Sequence, residues 1–150
     1  MKHGTDLDGL LGYHLQRSYM HVMEDARRAL ALHGLTPAKL TALLLIRANP
    51  GCDQTALGRA LSVNRSSAMK LVNFLVERNL VERRPGRDLR TNALHLLPGA
   101  EDRIVEMIKS LNDSDARMSE RLTPTERTQL FNLVRKLGPA RGRRPKEAAE

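Results

Sequence analysis

Residues 54–97 read QTALGRALSVNRSSAMKLVNFLVERNLVERRPGRDLRTNALHLL, and the fold turns on them. Asp53 is placed to cap a short helix over QTALGRAL, because a carboxylate just outside a helix accepts one of its unpaired first amides. Ser62-Val63-Asn64 forms a three-residue turn into a second helix, RSSAMKLVNFLVER. Leu57, Leu61, Val63, Leu71, Val72 and Leu75 supply the apolar contacts that lock the two together, and Gly58 is the small residue where they approach closely. Asn79 ends the second helix as a left-handed residue. Two β-capable runs follow, LVERR at 80–84 and TNALHLL at 91–97, joined by the polar loop from Pro85 to Arg90. Helix, turn, helix, then strand, loop, strand is the order of a winged helix-turn-helix, whose second helix enters the DNA major groove N-terminus first.

The residue types at those positions suit that task. Arg65 can bond guanine bidentately, Asn64 can bond adenine, and the hydroxyls of Ser66 and Ser67 can meet base edges or phosphates, with Met69 and Lys70 further along. The free amides of the helix start add a phosphate site. The competing reading makes NRSSAMK the solvated start of an ordinary amphipathic helix. In the loop, Arg87 and Arg90, with Arg83 and Arg84 at its base, form a basic finger suited to the narrow, electronegative minor groove. Asp88, between two arginines, can hold a guanidinium in a fixed orientation. A solvated hairpin tip of mixed charge is the alternative. The DNA-binding set is thus Asn64, Arg65, Ser66, Ser67, Met69, Lys70, Arg84, Arg87, Asp88 and Arg90.

Composition agrees. The 150-residue chain has 25 Lys and Arg against 17 Asp and Glu, a net charge of +8, and an isoelectric point near 10.4. Such a field attracts a polyanion before any specific contact forms. Aromatic residues make up only 3%, so the core is aliphatic, which favours helices over a sheet sandwich. It also disfavours a single-stranded RNA module, which reads bases by stacking. The lone Cys52 excludes an internal disulfide framework and any multi-cysteine zinc site. No apolar run approaches the roughly 20 residues that span a bilayer, and MKHGTDLDGLL has no signal-peptide core, so no membrane role and a cytoplasmic location are expected. No glycine-rich phosphate loop, nucleophile elbow or His-Glu-x-x-His motif is present, so neither an enzyme nor a cofactor is expected.

Outward from the central unit, helices are expected on both sides. Asp6 to about Leu32 has Leu7, Leu10, Leu11, Leu15, Val22, Ala29 and Leu32 at helical spacing, stopped by Gly34. Thr36 caps a second helix with Pro37 at its first position, and its body AKLTALLLIRA is apolar nearly all round, hence buried. Pro98-Gly99 opens another helix along Ile104, Val105, Ile108, Leu111 and Met118. Thr123-Pro124-Thr125-Glu126 is a capping box for the last, which Gly138-Pro139 stops. ARGRRPKEAAE has no apolar periodicity and reads as a disordered tail, either solvated or trailing along phosphates.

From Leu35 to Leu97, LTPAKLTALLLIRANPGCDQTALGRALSVNRSSAMKLVNFLVERNLVERRPGRDLRTNALHLL resembles the MarR family of winged helix-turn-helix regulators. The Leu-Thr-Pro start, the helix-turn-helix, the Leu-Val-Glu-Arg run and the Asp-x-Arg wing carry the likeness, which the flanking helices extend over about residues 7–137. The resemblance implies a homodimeric repressor of operator DNA released by a small ligand. It puts recognition on Arg65, Ser66, Ser67, Met69 and Lys70, and the wing pair on Asp88 and Arg90. Leu89, Asn79, Ala100 and Ser62 depart from it: the first stands where another arginine is common, the others where glycine is. The implied layout is mainly α with a small β-hairpin wing: a dimerisation and ligand helix over 1–34, the DNA-binding domain over 35–97, dimerisation helices over 98–138, and the tail over 139–150. The first and last helices carry more apolar surface than one small winged domain covers, which also argues for a partner copy. Recognition helices one DNA turn apart imply a pseudo-palindromic operator with half-sites about 10 bp apart.

On the first helix, His14, Ser18, His21 and Asp25 project within about 60° of one another, beside Leu7, Leu11 and Val22. The resemblance places an effector cavity beside this helix. Tyr13, His14, Arg17, Ser18 and His21 are therefore candidate contacts to a small aromatic carboxylate, Arg17 pairing with the carboxylate and a histidine with a ring hydroxyl. Dimer-interface hydrogen bonding is the equal alternative. Zinc at His21 and Asp25 with His14, an oxidant sensed at Cys52, and an activating instead of repressing role are further readings.

Overall fold

The computed structural model describes residues 5–86 and 92–138. Its elements in order are α1 (Thr5–Asp8), α2 (Leu11–Ala31), α3 (Pro37–Ala48), β1 (Cys52–Asp53), α4 (Gln54–Ala60), α5 (Arg65–Glu77), β2 (Val81–Pro85), β3 (Asn92–Leu96), α6 (Ala100–Met118) and α7 (Pro124–Leu137). The architecture is mainly helical with a small antiparallel sheet, as expected. The chain divides into two compact units, the first ending at Asp115 and the second starting at Ala116. Among the described residues no helix is long and apolar enough to cross a membrane.

The expected start and stop signals act where the residues stand. Thr36 accepts from the Lys39 amide with Pro37 at the first position of α3, and Asp53 accepts from the Ala56 amide at 2.7 Å to start α4. Gly34, at φ +66°, turns the chain out of α2 while the Leu35 amide returns to the Leu30 carbonyl at 3.1 Å. Asn79 takes φ +53° after α5.

Three expectations need correction. The first helix is not continuous from Asp6: Gly9 and an extended Leu10 separate α1 from α2. Glycine loses more backbone freedom in a helix than any other residue, so the apolar periodicity running through it did not carry the helix across. The sheet has three strands in the order β1-β3-β2, because Cys52 and Asp53 pair with Leu94 and Ala93. A two-residue strand has no alternation to read. Cys52 closes the turn from Asn49, its amide donating to the Asn49 carbonyl at 3.1 Å, and begins β1; burial first, and the Asp53 carboxylate second, push its thiol up. Val63 does not lock the two helices together, as its side chain is 38% exposed.

The core forms where α2, α3, α5, α6 and the sheet meet. Leu30, Leu40, Leu43, Ile46, Leu75, Leu80, Leu94, Ile104 and Met107 are its large buried members. Two polar ties join helices to α6: the Ser114 hydroxyl donates to Asp25 at 2.7 Å, and His33 Nε2 meets the Ser110 hydroxyl at 2.8 Å.

In the second unit, Thr123 and Glu126 complete the reciprocal box that starts α7. The Thr123 amide and hydroxyl both donate to the Glu126 carboxylate at 2.8 Å, which holds that carboxyl below its ordinary range. A lowered folded-state value stabilises the helix above the unfolded carboxylate range, and that contribution is lost as pH falls through the folded one. Circular dichroism melts of wild type and Glu126→Gln should therefore converge as the pH falls below the ordinary carboxylate range.

Candidate nucleic-acid interface

α5 is anchored by one face and offers the other. Ala68, Val72 and Leu75, at helical spacing, are buried in the core. Their burial turns Arg65, Ser66, Ser67, Met69 and Lys70 outward, all exposed, with Met69 at 48%. The close approach that holds α4 against α5 occurs at Gly58, where an added Cβ would stand 3.2 Å from the Ala68 Cβ. The turn between them is closed by the Val63 amide on the Gly58 carbonyl at 3.0 Å, with Ser62 at φ +55°. A serine in that left-handed conformation is strained, the physical counterpart of the missing glycine.

Asn64 does local work in this structure. Its Oδ1 accepts from the Ser67 amide at 2.8 Å, making it the N-cap of α5. Asn64→Ala should cost about 1 kcal/mol of folding stability, whereas Asn64→Ser keeps a capping oxygen and should cost little. Urea melts of the two variants check this, and a drop in operator affinity with Asn64→Ser alone would assign the amide a base contact as well.

The wing strands lie beside α5, and their pleat sorts the two arginines at the wing base. Val81, Arg83 and Pro85 share one face of β2, Glu82 and Arg84 the other. Arg83 donates from Nη2 to Asn73 Oδ1 of α5 at 2.5 Å. Arg84 instead bonds Glu82 on its own strand, Nε to Oε1 at 2.8 Å, an exposed pair of the kind worth about 0–1 kcal/mol. The side chains of Asp53, Gln54, Thr55, Arg65, Arg83 and Asn92 line one cleft between the start of α4, the start of α5 and the sheet. Sequence reasoning put Arg83 at the base of the basic finger but left it out of the DNA-binding set, although strand alternation from the buried Val81 places it on the face of β2 turned to α5. Arg87, Asp88 and Arg90 lie outside the described residues.

The face is strongly basic. Arg65 and Lys70 have no ion-pair partner among the described residues. A helix start with free amides and uncompensated cations attracts phosphate, and exposed Arg, Ser and Lys side chains on it can reach base edges.

The column on α2 is mostly open. Tyr13 is half-buried, while His14, Arg17, Ser18 and His21 are exposed. His14 Nε2 meets the Asp8 carbonyl at 2.9 Å, which the break after α1 leaves available. Arg17 donates to the Tyr13 hydroxyl at 3.3 Å and stands 5.7 Å from its ring centroid. Asp25 leaves this group for Ser114 on α6. Among the described residues no three His, Cys, Asp or Glu side chains gather as metal ligands would.

Comparison with known proteins gives a consistent picture. The sequence pattern of the MarR family matches residues 33–90. A protein of Thauera aromatica, described as a transcriptional regulatory protein for the hcr operon, is 34% identical over 137 residues, covering 90% of this chain and 82% of its own. The structure of the transcriptional repressor CouR bound to a 23-mer DNA duplex superposes with a TM-score of 0.84 at 29% identity, covering 91% of this chain and 98% of that one. CouR bound to p-coumaroyl-CoA superposes with a TM-score of 0.77 at 28% identity, over 91% and 97% of the two chains.

Proposed function

The chain belongs to the MarR family of transcriptional regulators, and from that premise we propose that it is a ligand-responsive repressor that binds a pseudo-palindromic operator as a homodimer. The observation that carries this reading is the outward face of α5, Arg65 to Lys70, held rigid by Ala68, Val72 and Leu75. Arg65, Ser66, Ser67, Met69 and Lys70 read the major groove, with Asn64 capping the helix that presents them. Arg84, Arg87, Asp88 and Arg90 serve the wing, Arg90 entering the minor groove. Residues 35–97 form the DNA-binding domain.

Dimerisation falls to residues 1–34 and 98–138. In support, α2 exposes Leu11, Leu15, Tyr19 and Met20, and α7 exposes Leu130, Phe131, Leu133, Val134 and Leu137. Contiguous apolar side chains on a helix are covered by protein more often than by water. Release of the operator is assigned to an aromatic acid, free or as a thioester, with Tyr13, His14, Arg17, Ser18 and His21 as contacts. The p-coumaroyl group bound by CouR supports the aromatic part.

The test is a titration of the protein against its own upstream region and against random DNA, with and without aromatic acids and their thioesters. Selective binding abolished by one of these compounds supports the reading, as does a dimer in sedimentation. Selective binding that no such compound alters removes the effector. Equal binding to both DNAs across a range of salt removes operator recognition.

A further inference from the structure

At the end of α5 remote from its groove-facing start, cations gather round one aromatic ring. Lys39 Nζ stands 3.3 Å from the Phe74 ring centroid and Arg78 Cζ 5.0 Å from the same point. Arg103 donates from Nη1 to the Arg78 carbonyl at 2.9 Å, bringing a third positive side chain to the place. Three elements converge to build it: the first turn of α3, the end of α5 and the first turn of α6. Gly34 makes the room, since a Cβ there would lie 2.5 Å from Arg78 Nη1.

The charge at this place is not neutralised from within. Arg28, Arg47 and Arg84 each pair with a glutamate, whereas Lys39, Arg78 and Arg103 have no ion-pair partner among the described residues. The negative face of Phe74 and the carbonyl end of α5 offset part of the repulsion. An anion of more than one charge would offset the rest. The operator bases that Arg65 meets are out of reach of this place: Arg65 and Arg78 are 13 residues apart in sequence, or about 20 Å along a helix rising 1.5 Å per residue. A helix that enters the groove by its first turn holds its last turn that far from the base edges.

We propose that Lys39, Arg78 and Arg103 bind the phosphate groups of an aromatic acyl-coenzyme A thioester, and that this thioester, not the free acid, is the effector. The inference rests on the reading of the chain as an effector-released regulator. A free aromatic acid has one carboxylate, which Arg17 alone can match. Coenzyme A adds a pyrophosphate and a further phosphate, and the planar forks of two arginines beside a lysine suit several phosphate oxygens at once. The thioester bound by CouR is a ligand of this chemical class.

The experiment uses the full chain and calorimetric titration with p-coumaroyl-CoA, benzoyl-CoA, coenzyme A and the two free acids, followed by operator binding in the presence of each. A thioester is expected to bind at least tenfold more tightly than its own acid and to weaken as salt rises. Lys39→Gln and the double variant Lys39→Gln/Arg78→Gln should lose at least tenfold in thioester affinity while keeping wild-type operator affinity, which also certifies their fold. A free acid that binds as tightly as its thioester overturns the inference, and so does thioester affinity that survives in Lys39→Gln with its fold intact. An acid that releases the operator while no thioester binds overturns this inference alone. If no acid, thioester or coenzyme A binds, the inference and the aromatic-effector reading fall together.

Discussion

Leu75→Ala is expected to cost about 2–5 kcal/mol of folding stability, by lost burial and by the cavity left behind. Leu75 is fully buried, on the same face of α5 as Ala68 and Val72, within the cluster that includes Leu30, Leu43, Ile46 and Leu94. The cluster draws on α2, α3 and β3 as well as α5, so collapse into the space would disturb packing that several elements share. The loss should also reach DNA binding, because α5 presents Arg65 through that buried face. Urea unfolding at one fixed protein concentration measures the first effect, since the stability of the proposed dimer would depend on concentration. A midpoint unchanged from wild type would mean that α5 is not anchored as described. Met69→Ala, on the exposed face of the same helix, should leave the midpoint within about 0.5 kcal/mol.

Arg65→Ala should weaken operator binding by about 1–3 kcal/mol if its guanidinium makes a bidentate base contact. Arg65 is the first residue of α5, is exposed, and lines the cleft that also contains Arg83. The diagnostic quantity is the ratio of operator to random-DNA affinity at fixed salt. A base contact lowers that ratio. A phosphate contact lowers both affinities together and reduces the salt slope by about one. Lys70→Ala gives the comparison, because a flexible ammonium five residues further along is suited to a phosphate. If Arg65→Ala leaves both affinities unchanged, the recognition face lies elsewhere on the protein.

Much of this molecule was determined by short-range chemistry and was therefore readable from residues alone. Thr36-Pro37, Asp53 and the Thr123–Glu126 box start their helices because capping uses groups within three residues of one another. The three-residue turn after α4 and the left-handed Asn79 are local in the same way. The winged helix-turn-helix follows from the order of those pieces and from which helical positions are apolar. The outward set on α5 follows too, since burying Ala68, Val72 and Leu75 leaves only one direction for Arg65, Ser66 and Lys70.

Tertiary structure alone decided the rest, because it depends on partners far apart in the chain. β1 exists only through Leu94 and Ala93, some 40 residues away in sequence, and no window that short has a period of its own. Asp25 leaves its helical column because Ser114 meets it from α6. Arg83 and Arg84 are adjacent and chemically alike, yet Asn73 on α5 takes one and Glu82 the other, a division set by the pleat and by the helix packed on one side of it. The cationic cluster has the same origin. Phe74 and Arg78 are four residues apart at the end of α5, but Lys39 and Arg103 share no motif or spacing with them, and only the convergence of α3, α5 and α6 brings three positive charges to one place.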